Sequence, residues 1–387
     1  MLPARPSIVR VVAASLWFGA VAAPLAAQPA ALVYRLGRDT VAIEQYERTA
    51  SGVSGEMVQR SGAALTRLRY RITVGGDGRP TGATITRLQP DGTPPAAGVR
   101  EIRLAWGRDS VVRELVYADS TSRSAFAARG AVFNPPTYLY GATELLVALA
   151  RRGASIDSLP ALGTAGGLGF AGLARAEGDA YRVRGGPYAM VLRFDAAGRL
   201  QSVDGDRTTN KVQAVRGPGG VDLGAIAQRM APTGTLSVRE TARAGFGAGG
   251  MVLVDYGRPS VRGRTVWGGT LVPFDSVWRF GANDATHLFT TRTLAFEGLT
   301  LPPGMYSLWL QHTRTGTILI VNAQTGQWGT QYDASRDVGR VRLTLAPAPA
   351  PAETLQIAVR AQGPTRGALE VTWGDRVASA PFTVTAR

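Results

Sequence analysis

Short runs of alternating apolar and polar residues recur along this chain, with glycine or proline between them. Leu68 to Val74 alternates in this way, Gly75 to Pro80 is a turn, and Ala83 to Thr86 resumes the pattern. A period of two puts successive side chains on opposite faces of an extended strand, so these runs suit sheets with one buried face. Two further hairpins follow the same rule. Ile102 to Trp106 and Val111 to Tyr117 flank Gly107 to Ser110, and Met190 to Phe194 turns at Asp195 to Gly198 into Leu200 to Val203. With 48 Gly and 23 Pro in 387 residues, turns are plentiful and long helices are not expected.

One helix interrupts the strands. Pro136 and Thr137 open a run that carries Leu139, Leu145, Leu146 and Leu149. It ends with Arg151 and Arg152 before Gly153. Cations near a C-terminus suit the helix dipole, and glycine is a natural stop. The expected fold is therefore mainly β. Residues 28–215 form an N-terminal antiparallel sheet domain with one helix near 137–152. Residues 216–236, bracketed by Gly217 to Gly220 and Ala231 to Gly234, form a linker. Residues 237–387 form a β-sandwich or jelly-roll-like domain. Its strands lie at 251–256, 305–310, 317–321, 341–345, 355–359 and 369–373, and Ala346 to Pro351 is an extended polyproline-like loop between two of them. A long meandering sheet on one helix is similar in architecture to periplasmic lipoprotein carriers, an analogy that reaches the fold alone.

The first 27 residues read as a secretory signal peptide. Arg5 and Arg10 supply a positive start, Ile8 to Ala23 is apolar apart from Arg10 and Ser15, and small residues surround a cut after Ala27. The apolar core is short for about 30 Å of hydrocarbon, which favours cleavage over a retained membrane anchor. The chain is thus expected in the periplasm or outside the cell, with no transmembrane anchor after cleavage. Cysteine is absent, which excludes disulfides, thiolate metal sites, a catalytic Cys and a lipid anchor at the cleavage point. The net charge of +15 is almost wholly arginine, because Lys211 is the only lysine. The arginines are dispersed and form no basic run, so nucleic acid is not an expected partner.

Several separate motifs lie beyond residue 256. Gly257 to Gly268 contains Ser260-Val261-Arg262-Gly263-Arg264; Val277-Trp278-Arg279 and Gly281-Ala282-Asn283 follow; Leu301 to Leu308 and Gln327-Trp328-Gly329 come later. Together, over roughly 237–387, they resemble the bacterial family catalogued as domain of unknown function 2911. The resemblance implies an exported bacterial β domain and no particular activity. Asp284 stands where that family's pattern has Glu, and Phe280 where it has a small polar residue.

Candidate ligand-binding residues are Arg258, Ser260, Arg262, Arg264, Trp278, Arg279 and Asn283. Guanidinium forks and a planar amide beside an aromatic ring suit an anion or a sugar. The same residues could instead tie down a long loop, whose buried backbone must find partners. Asp284, His287 and His312 do not make a metal site, because residues three apart on a strand face opposite sides. Gly245 to Gly250 precedes a strand and has no following Lys, so it is not a phosphate loop. No catalytic residue and no cofactor is legible. The expected function is a non-catalytic binding or structural module of the cell envelope, with a small polar molecule, lipid or glycan as ligand. The alternative is an envelope hydrolase using carboxylates that the fold would bring together. N-terminal sequencing of the protein recovered from the envelope fraction should start near Gln28. A chain that starts at Met1 there would overturn the signal-peptide reading.

Overall fold

A computed structural model describes residues 29–184, 190–208 and 210–385, so the expected export signal at 1–27 lies outside the described residues. The chain is mainly β, with two separate sheets. The first has fifteen strands. Its first strand, Ala30–Leu36, lies inside the sheet, flanked by Asp39–Thr49 on one side and Gln213–Pro218 on the other. From there the strands run outward in order to Thr121–Ala127 at one edge and, in reverse order, to Val132–Asn134 at the other. Only residues 128–131 join those two edges. The five residue steps from Ala127 to Val132 span at most about 18 Å, so the sheet must curl almost into a barrel.

One strand pair in this sheet is parallel, Val132–Asn134 with Leu159–Gly163. Parallel neighbours need a crossover, and the crossover is helical. A 3₁₀ turn, Tyr140–Thr143, leads into helix α1, Glu144–Arg151. The expected helix is real but shorter than 137–152. Tyr138 takes a left-handed backbone, and Gly153, also left-handed, follows the helix end as anticipated. Leu145, Leu146, Val147 and Leu149 are buried against the sheet. Burial of each such side chain contributes about 1.5–3 kcal/mol.

Two carboxylates hold this helical segment in the curl. Glu44, on the inward phase of its strand, is fully buried. It accepts hydrogen bonds from Tyr34 Oη at 2.8 Å, Tyr70 Oη at 2.7 Å and the Gly141 amide at 3.1 Å. Glu144, at the start of α1, is equally buried. It accepts from Tyr46 Oη at 2.6 Å and the Leu200 amide at 2.9 Å, and pairs with Arg216 at 3.2 Å and Arg48 at 3.3 Å. Buried carboxylates persist only when donors surround them.

The second sheet has ten strands. Arg239–Phe246, Gly250–Gly257, Thr286–Thr290, Gly304–Thr313 and Gly316–Asn322 are successive antiparallel neighbours. The long strand Asp337–Ala361 pairs with Gly316–Asn322 through its start and with Arg366–Val384 through the rest. It then folds back, since Tyr256 Oη accepts from the Ile357 amide at 3.0 Å and Leu355 N donates to the Pro259 carbonyl at 2.9 Å. Trp278, Phe280, Leu310 and Trp373 fill the space between. This is the sandwich-like closure that the alternation implied.

Two expected segments differ. The Ala346 to Pro351 run belongs to that one long strand, pairing at Pro347 and Ala352 with a register break between them. Proline lacks an N–H, so pairing lapses there while the chain stays extended. Within 216–236, residues up to Pro218 belong to the first sheet. A second helix α2, Leu223–Arg229, is capped by Asp222 and packs Leu223 and Ala227 on Val58. Among the described residues no helix is long and apolar enough to cross a membrane.

Burial pushes the Glu44 carboxyl up to about 7, against the opposing bonds from Tyr70, Gly141 and Tyr34. The unfolded chain releases this proton near the ordinary 4.5. Between those values the folded state binds more protons, so this group's contribution is present below pH 4.5 and lost as pH rises to about 7. In urea unfolding, Glu44→Gln should remove a loss on the order of 3 kcal/mol between pH 4.5 and 7.

Candidate functional site

Two turns, one from each sheet, meet closely. Gly37 and Arg38 join the first two strands, Asp39 opens the second, and the loop around Arg262 follows Gly250–Gly257. The Arg38 amide donates to the Arg262 carbonyl at 3.0 Å, and the Arg262 guanidinium pairs with Asp39. Gly37 has φ +61°, and a Cβ there would stand 2.2 Å from the Arg262 carbonyl oxygen. Only glycine permits that approach. Lys211 adds another tie, donating from Nζ to the Asp206 carbonyl at 2.8 Å and, in the other sheet's loop, to the Thr270 carbonyl at 3.1 Å.

Beside this contact lies a cavity of about 190 Å³ between the two halves. Arg60, Lys211, Arg262, Arg264 and Arg279 line it, and among the described residues no carboxylate does. Leu271, Trp278 and Trp373 form an apolar part of the wall, with the two indoles stacked at 5.4 Å. The backbone around it is strained. Among the described residues seven that are not glycine take the left-handed region, and five of these line this cavity: Tyr138, Lys211, Ser237, Arg262 and Asn283. Each costs about 1–3 kcal/mol unless local bonding compensates, and such residues concentrate at functional sites.

The cations differ in how they are satisfied. Arg60 donates to the carbonyls of Ala231, Thr40 and Pro232, and Arg262 has Asp39. Arg264 reaches the Val261 carbonyl at 3.0 Å and the Ser260 carbonyl at 2.8 Å, leaving Nη1 buried without a partner. Arg279 is only 9 % exposed. Its Nε meets the Gly281 carbonyl at 3.3 Å, and its Nη1 is buried and unpartnered. Burial lowers the pKa of Arg279. Burial, then the Arg279 charge, pushes Lys211 down to about 8, with Arg264 adding to this and Asp206 opposing it.

Six of the seven residues expected from sequence line this one cavity: Ser260, Arg262, Arg264, Trp278, Arg279 and Asn283. Arg258 does not; it pairs with Glu240 and donates to the Leu355 carbonyl and Thr354 Oγ1. Asp275 and Asp284, the acids nearest in sequence, do not pair with Arg279. The histidines lie in different surroundings. His287 Nε2 accepts from the Gly326 amide, while His312 bonds Thr317 and stacks on Phe274. Sequence reasoning missed Lys211 as a site residue, although a lone lysine among so many arginines was a readable signal. It also missed Glu44 and Glu144. These two come together, but they are enclosed and supplied with donors, unlike carboxylates facing a substrate cleft.

The arrangement defines a β-rich protein with a cationic cavity between two sheets. Residues 237–382 match the model of a family described as "Protein of unknown function (DUF2911)", in agreement with the motifs of the C-terminal part. Neither a search of curated proteins nor one of solved structures finds a match.

Lys211 ordinarily titrates near 10.5, so between about pH 8 and that value the unfolded chain binds more protons than the folded one. Its contribution therefore makes the native state more stable as pH rises through that window. Lys211→Met should flatten the rise in denaturant melts taken at pH 7.5 and 10.

Proposed function

We propose that this is an exported envelope protein that binds a small anionic molecule in the cavity between its two sheets and releases it unchanged. The observation that supports this most is Arg279. A guanidinium nine-tenths buried, with one carbonyl contact and no carboxylate, carries uncompensated charge. Such a charge is costly unless an anion completes it. Arg264 and Lys211 add positive potential at the same place, and a low-dielectric wall of Trp278, Trp373 and Leu271 strengthens it. Guanidinium groups bind carboxylate and phosphate through paired N–H donors. The cavity has room for roughly six waters at ~30 Å³ each, the scale of a phosphate or a short carboxylate. The three-zone N-terminus supports export.

Thermal melting in inorganic phosphate or succinate, against chloride at equal ionic strength, tests this reading. Saturation at a hundred times the dissociation constant stabilises by about 2.7 kcal/mol, which raises the melting temperature by a few degrees. Arg279→Gln should abolish that rise and leave the anion-free melting temperature nearly unchanged, because the variant removes an uncompensated charge and breaks no ion pair. No rise with either anion, or a rise that survives in the variant, would overturn the reading.

A further inference from the structure

The cavity holds the chain's only lysine, and its surroundings suit chemistry as well as charge. Lys211 lies in the turn after the strand Leu200–Asp204, its amide donating to Thr208 Oγ1 at 3.2 Å and its backbone left-handed at φ 48°. Nζ has two partners among the described residues, the carbonyls of Asp206 and Thr270. An ammonium carries three N–H bonds, so one finds no acceptor among the described residues. A neutral amine would keep both carbonyl bonds and direct its lone pair where the third N–H pointed.

We propose that Lys211, Arg264 and Arg279 form a capture site for small aldehydes or 2-oxo acids that carry a phosphate or carboxylate. The inference rests on the anion-binding reading of the cavity and adds a covalent step to it. The guanidinium groups hold the anion. The amine lone pair of Lys211 attacks the carbonyl carbon, a C–N bond forms, and the carbonyl oxygen leaves as water with the two amine hydrogens. The product is an imine, reversible by the same water, and no oxidant or reductant is involved. Burial and the Arg279 charge favour the neutral amine needed for attack, the usual way a lysine becomes a nucleophile. The 42 arginines, 43 basic residues less this lysine, cannot substitute for it, since they stay protonated.

A matched pair of probes tests the proposal: glyceraldehyde 3-phosphate and unphosphorylated glyceraldehyde, each trapped on the full chain with cyanoborohydride and located by peptide mass mapping. With one lysine, a side-chain amine adduct can arise only at Lys211. The phosphorylated probe should label Lys211 at least tenfold faster than the neutral one. Inorganic phosphate should protect it, and Arg279→Gln should erase the tenfold preference. Lys211→Arg should give no side-chain adduct with either probe. Phosphate stabilisation with no adduct at Lys211 would overturn the covalent step and leave the anion reading standing. Labelling at equal rates by both probes would overturn the capture site, and absence of phosphate stabilisation would remove the reading beneath it.

Discussion

The close approach of the Gly37 turn to the Arg262 loop is the contact on which the cavity depends. One backbone hydrogen bond, one ion pair and one glycine without room for a Cβ bring the two sheets together at this point. Arg262 spends its charge on Asp39 and takes a left-handed backbone to do so. Arg264, two residues on, is thereby set against the cavity, and Lys211 reaches across to Thr270. The motif that marks the C-terminal part thus also serves, in this chain, as the seat for the N-terminal sheet.

The molecule buries charge in two contrasting ways. Inside the curled sheet, Glu44 and Glu144 are surrounded by tyrosines, amides and arginines, each aimed at a carboxylate oxygen. That network fixes α1 to strands distant in sequence; Glu144 Oε2 accepts no hydrogen bond, but it faces the Arg48 guanidinium at 3.3 Å. Between the sheets, Arg279 and Arg264 keep buried nitrogens without partners, beside an amine with one unused bond. The difference lies in counter-charge. Glu144 has Arg48 and Arg216 beside it, while among the described residues Arg279 and Arg264 have no carboxylate partner.

Much of the β architecture was legible because alternation is a local signal. The hairpins at 68–86, 101–116 and 191–203 are strands and turns where the pattern placed them. The failures have physical causes. The Ala-Pro run looked like a loop because proline cannot donate, yet its neighbours on Arg366–Val384 keep it in one extended strand. The helix looked longer because apolar spacing continues through Tyr140, where a 3₁₀ turn accommodates the amide that Gly141 gives to Glu44. Residues 216–236 looked like punctuation alone, although their apolar positions were enough to dock α2 on Val58.

By itself the sequence determined the strand-rich class, the helix and its glycine stop, and the cluster of arginines with Asn283 in one stretch of chain. Those follow from residue types and short spacings, which act through the local backbone. Only the tertiary structure decided which of those arginines find carboxylates and which do not. It also brought Lys211, about fifty to seventy residues away in sequence, to the same wall, and excluded Arg258 from it. Charge pairing acts across space, and a carboxylate such as Asp39 becomes a partner only when two distant turns are folded into contact.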